Sequence, residues 1–161
     1  MRELTDERLK DIVSPSSLLL KKEGDTVKFS RGTNYALHTM LHLAMSLDNN
    51  KPIGVQQLAE QQSVSPTYLS KILTKLAKEG MVTSVSGANG GYSLRHNWES
   101  LSFLDVIHAI EGKTSLFDCH FGHGSGCPIE QVMVRAEKKM EEELRQSKIA
   151  DLVKDKGAAH T

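Results

Sequence analysis

Apolar residues recur at helical spacing from Tyr35 onward. Tyr35, Leu37, Met40, Leu41, Leu43, Ala44 and Leu47 predict one well-buried helix, which the turn-forming run Asp48-Asn49-Asn50-Lys51-Pro52 closes. Val55, Leu58 and Ala59 mark a second, short helix, broken by Ser63-Val64-Ser65. The third helix is delimited at both ends: Ser65 can cap the unpaired amides at its start, Pro66 has no amide hydrogen to lose there, and Gly80 terminates it. Leu69, Ile72, Leu73, Leu76 and Ala77 form one helical stripe on its buried side. The opposite side carries Thr67, Ser70, Lys71, Thr74, Lys75 and Lys78, so every charge before Glu79 is positive and hydroxyls sit among them.

After Gly80 the period shortens to two. Met81 to Val85 reads as a strand, Ser86 to Gly91 as a hairpin tip and Tyr92 to Arg95 as the returning strand. Helix, short helix, tight turn, capped helix and hairpin make a mainly α fold, a winged helix-turn-helix with a small two-stranded wing. Ser102 starts a further helix with Phe103, Leu104, Val106, Ile107 and Ile110 apolar, ended by Gly112. Pro128 then opens a long helix in which Ile129, Val132, Met133, Ala136, Met140 and Leu144 stand among charged residues. So narrow a stripe is a seam for a partner helix, and a homodimer is the economical inference. At the other end, Leu4, Leu9, Ile12 and Val13 suit a short amphipathic helix, cut off by Ser14-Pro15-Ser16-Ser17 and a polar linker from Lys21 to Thr26. The chain thus divides into an extension (1–27), a DNA-binding domain (28–112), a cysteine-containing loop (113–128) and a dimerisation helix with its tail (129–161).

Totals narrow the class. A chain of 161 residues holds one core and an appendage, and 39% hydrophobic with 25% charged content excludes wholesale disorder. No apolar stretch approaches the roughly 20 residues that cross a bilayer, and residues 1–27 interleave five basic with six acidic side chains where a secretory signal needs an apolar run. Two cysteines make no disulfide framework, and thiols kept available point to reducing cytoplasm. The net charge of zero is a sum of unlike parts. Residues 28–95 carry seven basic and three acidic side chains (+4), residues 96–161 eight and eleven (−3), and residues 1–27 five and six (−1). A basic middle with an acidic end suits a protein that meets phosphates with one part only.

Four blocks, "KFSRGTNYALHTMLHLA", "LAEQQSVSPTYLSKILTKLAKEGMV", "GANGGYSL" and "FLDVIHAIEG", resemble the IscR/NsrR-type family of bacterial winged-helix transcriptional regulators, in register from Lys28 to about Val153. The resemblance implies a symmetric dimer with crossed C-terminal helices on a palindromic operator. Family members begin with Met at the position of Val27, and GTG encodes valine within a reading frame yet also serves as a bacterial start. Residues 1–26 are therefore expected to be either a lineage-specific arm or the product of an upstream start.

In this motif class the second helix lies in the major groove with its N-terminal residues nearest the base edges. Thr67, Tyr68, Ser70 and Lys71 are the expected readers, with Lys75, Lys78 and Arg31 on phosphates and Ser65 and Thr74 also expected at the DNA. The wing has Ser86 where the family places an arginine, which weakens minor-groove contact. Asn89 and Gly90 could bring backbone amides to phosphate, although a tight hairpin explains glycines there equally well. Trp98 is expected to anchor the connection after the wing. His38 and His42, four apart, are expected to flank a buried stripe rather than to bind metal.

The stretch "CHFGHGSGC" from Cys119 to Cys127 has three open readings. A thiol switch is one, since His120 beside Cys119 favours thiolate and Gly122, Gly124 and Gly126 let two sulfurs approach. Cluster or metal binding is another: the resemblance implies three cysteines, of which two are matched, and His120 and His123 could complete a [2Fe-2S] or zinc site with Cys119 and Cys127. The third is an unreactive surface loop. The expected function is therefore a repressor that responds to redox or thiol state, with no required cofactor and no small-molecule substrate. An enzyme lacks an orienting third residue beside any Cys-His pair, and a winged-helix protein-interaction module without DNA binding is the remaining rival.

Overall fold

The computed structural model describes residues 29–47, 51–117 and 127–158, the last four by backbone alone. The extension expected at 1–27 lies outside the described residues, as do Cys119, His120 and His123.

Helix α1 (Arg31–Met45) is capped by Ser30, whose side chain accepts from the Thr33 amide. Its buried side holds Ala36, Met40, Leu43 and Ala44, but also Thr33, Thr39 and His42. Thr39 is carried inside by hydrogen bonding: it donates to the Tyr35 carbonyl (2.7 Å) and accepts from Gln62 Nε2 (2.8 Å). Leu47, expected in the buried stripe, is 40% exposed because the helix ends before it. Helix α2 (Val55–Gln61) buries Leu58 and Ala59. The turn after it puts Ser63 at φ 51, and the Val64 amide returns to the Ala59 carbonyl at 3.0 Å.

Helix α3 (Pro66–Lys78) begins as its sequence dictates, with Pro66 in the first turn and Ser65 Oγ accepting from the Tyr68 amide at 3.2 Å. It stops equally sharply. Gly80 adopts φ +67, its amide bonds the Ala77 carbonyl and that of Met81 bonds Leu76, the paired closure that left-handed glycine permits. Strands β1 (Val82–Val85) and β2 (Gly91–Leu94) pair antiparallel with Val82 opposite Leu94 and Val85 opposite Gly91. Ile53 joins as a third, single-residue rung, exchanging two 2.9 Å backbone bonds with Tyr92.

A short 3-10 turn (Trp98–Ser100), with Trp98 half-buried against the core, leads to α4 (Phe103–Glu111). Ser102 and Asp105 close a reciprocal capping box at its start. Helix α5 (Pro128–Gln146) follows, and none of its residues is buried. The expected tail is instead a further helix, α6 (Ile149–Ala158), folded back on α1. Ile149 is fully buried and Ala150 nearly so, and Ile149 joins the core that α1, α2, α3 and the wing share. A backbone exchange fixes the return: Phe103 donates to the Ser147 carbonyl (3.0 Å) and Ile149 to that of Leu101 (3.1 Å). The unit expected to close at residue 112 thus draws core residues from beyond 147.

Among the described residues no helix is long and apolar enough to cross a membrane.

Candidate nucleic-acid interface

Burying Leu69, Ile72, Leu73 and Leu76 leaves one face of α3 to solvent, and the side chains on it follow from helical geometry. Thr67, Lys71, Thr74 and Lys78 are exposed and Ser70 is half-exposed. Among the described residues, neither Lys71 nor Lys78 takes part in a hydrogen bond or ion pair. Exposed Arg31 opens α1, a helix with no acid in its first turn.

Two expected DNA contacts, the reader Tyr68 and the phosphate-holding Lys75, also bond within the molecule. Tyr68 stacks edge-on against Tyr35 of α1, ring centres 5.8 Å apart and planes at 78°, so its ring braces two helices while 40% of it stays exposed. Lys75 donates from Nζ to the Ile110 carbonyl at 3.0 Å, covering an open C-terminal carbonyl of α4. Thr74 turns its hydroxyl to the Ser70 carbonyl. At the wing, Asn89 is exposed and the two glycines have steric causes. A Cβ on Gly90 would lie 2.3 Å from the Val85 carbonyl oxygen, and one on Gly91 2.5 Å from the Ile53 backbone.

Sequence reasoning missed Glu111. Its Oε1 accepts from the Ser30 amide at 2.8 Å and from the Thr33 hydroxyl, clasping the first turn of α1 to the last of α4. Burial pulls its carboxyl upward, but the Thr33 and Ser30 hydrogen bonds and the nearby Lys75 charge outweigh that and hold it below its ordinary value. A signal was present: an acid in the last turn before Gly112 opposes the helix dipole and therefore requires a partner elsewhere.

The expected seam on α5 divides. Ile129, Val132 and Met133 are 66%, 53% and 40% exposed, and Ala136 is exposed. Met140 and Leu144 instead face Leu104 and Ile107 of α4 across a small cleft of about 110 Å³. A wider groove of about 1100 Å³ separates α5 from the rest, walled by Met81, Leu104, His108, Val134, Glu137 and Glu141. Cys127 is buried at the head of α5, just before Pro128. Among the described residues no group of three His, Cys, Asp or Glu side chains is placed to hold a metal. His38 and His42 do not converge on such a group; His38 Nδ1 lies 2.8 Å from the Asn34 carbonyl and His42 is buried.

Fold and exposed face together define a winged helix-turn-helix, DNA-binding transcriptional regulator. The chain belongs to the Rrf2 family, whose model, described as an iron-dependent transcriptional regulator, matches residues 29–155. It is 30% identical over 135 residues to protein rrf2 of Nitratidesulfovibrio vulgaris, covering 80% of this chain and 89% of the relative. Among solved structures it resembles IscR of T. potens (TM-score 0.68, 30% identity, 84% of this chain and 92% of that one). It also resembles CymR, the global cysteine regulator of B. subtilis (TM-score 0.70, 25% identity, 80% and 98%).

Proposed function

We propose that the chain is a thiol-responsive repressor that binds operator DNA as a homodimer. The observation that carries this reading is the solvent face of α3, where Lys71 and Lys78 stand among Thr67, Ser70 and Thr74 on a helix rigidly capped at both ends. Thr67, Ser70 and Lys71 read base edges, Lys78 and Arg31 hold phosphates, and Asn89 at the wing tip meets backbone. The exposed Ile129, Val132 and Met133 supply the contact between subunits. Two copies of α3 then face half-sites about 34 Å apart. The chain's two cysteines, 119 and 127, lie in the connection from α4 to α5, so a disulfide there changes the spacing of the two reading helices. Reducing cytoplasm is the compartment such thiols require. No catalytic step and no small-molecule substrate enter this reading.

The family's description as iron-dependent favours a second reading, in which Cys119, Cys127, His120 and His123 hold a [2Fe-2S] cluster or zinc. Such a centre would supply redox chemistry, with the chain's residues acting as its ligands. The spectrum of anaerobically purified protein separates the two. Visible charge-transfer bands mean a cluster, whereas a colourless protein that loses two thiols on mild oxidation means a switch.

The DNA reading is tested by titrating the protein with a duplex from its own promoter between 50 and 200 mM salt. Binding that prefers this duplex over a scrambled one and weakens steeply with salt is expected. Absence of binding in every redox state would instead establish a protein-interaction module.

A further inference from the structure

The connection leaving α4 is fastened at both ends by carboxylates on elements far apart in the chain. At one end Glu111 holds the Ser30 amide and the Thr33 hydroxyl, the residues that flank Arg31 in the first turn of α1. Next to it the Ile110 carbonyl holds Lys75, one turn from Lys71 on α3. At the other end Glu137, midway along α5, accepts from the Leu116 amide and the Ser115 hydroxyl, each at 2.8 Å. Only Gly112, Lys113 and Thr114 separate the two attachments.

We infer that residues 110–116 act as a strut joining the long helix α5 to both DNA-facing elements, with Glu111 and Glu137 as positioning residues for operator binding that touch no DNA. Because so short a span is pinned at each end, a shift of α5 relative to the winged domain pulls on the last turn of α4. From there it reaches Arg31 through Ser30 and Thr33, and Lys71 through Lys75. Both cationic elements move together, which alters the fit to base edges more than the attraction to phosphate. The groove of about 1100 Å³ between α5 and the domain leaves α5 room for such a shift. The inference rests on the assignment of α3 as the reading helix.

The test is a double-mutant cycle on the full-length protein, with Glu111→Ala, Glu137→Ala and the double variant, which remove the accepting oxygens, titrated against the own-promoter duplex and a scrambled duplex. Each single change is expected to weaken own-promoter binding about 5- to 10-fold, with scrambled-duplex binding and the salt slope unchanged, because phosphate contacts persist. The double variant should be little weaker than the worse single one, since a strut cut at either end transmits nothing. Equal losses on both duplexes would mean simple structural damage and overturn the inference. So would single variants within twofold of wild type, or a double variant closer to the product of the two losses than to the worse of them. If the alanine variants do not fold, Thr33→Val and Ser115→Ala each remove one of the two hydrogen bonds in a link with the charges kept, and a smaller loss confined to the own-promoter duplex is expected. A wild type that shows no preference between the duplexes removes the DNA reading itself, an outcome visible before any variant is compared.

Discussion

Lys71 is the residue on which sequence and structure agree most directly: exposed, one turn into α3, on the side away from the core. Lys71→Ala should weaken own-promoter binding and narrow its preference over a scrambled duplex, whereas Lys78→Ala should lower the log–log salt slope by about one. Dimerisation should be untouched, which light scattering would report. Gly90 makes a prediction of another kind. Its missing side chain is demanded by the Val85 carbonyl at 2.3 Å, so Gly90→Ala should cost about 1–3 kcal/mol of stability in thermal unfolding even without DNA. The caps at Ser65, Pro66 and Gly80 were legible because their causes are local, a hydroxyl, a ring and an absent Cβ within the helix ends they shape. Lys75 and Tyr68 were not. From the sequence Lys75 belongs to the exposed stripe and Tyr68 to the expected readers; both stay exposed, and what ties them to the molecule is a carbonyl 35 residues away and the ring of Tyr35.

Among the elements, α4 depends most on acid-base state. Burial raises the Asp105 carboxyl, but the Ser102 hydroxyl and amide, followed by the Lys148 and His108 charges, bring it below its ordinary 3.8. A depressed carboxyl stabilises the fold above its unfolded value, and that contribution disappears as pH falls through the folded one. Glu111 acts in the same direction. Thermal midpoints should therefore drop below roughly pH 4, and Ser102→Ala should flatten that part of the profile. Helix α5 shows how far a periodic pattern carries. Its apolar positions predict a helix correctly, yet they cannot tell the side facing α4 across a cleft, with Met140 and Leu144, from the side left open, with Ile129, Val132 and Met133. Val132→Asp on the open side should dissociate a dimer in sedimentation while leaving the circular-dichroism spectrum of each subunit intact. The Ile53 rung was illegible for a simpler reason: one residue has no period.

At the scale of the molecule, helix α6 changes the domain plan. Its sequence, IADLVKDKGA, is half polar and resembles a solvated tail. What makes it structural is the fully buried Ile149, seated in a core whose other members precede it by more than forty residues. Removing that side chain should be felt globally. Ile149→Ala should cost about 2–5 kcal/mol, and urea unfolding followed at α1 and at α6 should shift together if they melt as one unit. The order in which the chain is made then matters. Domains tend to fold as they emerge from the ribosome, N-terminal parts first, but here α1 packs against a hydrophobic seat that stays vacant until residues 149–158 exist. The packing of α1, which carries Arg31, is therefore completed by the last-made helix of the described chain.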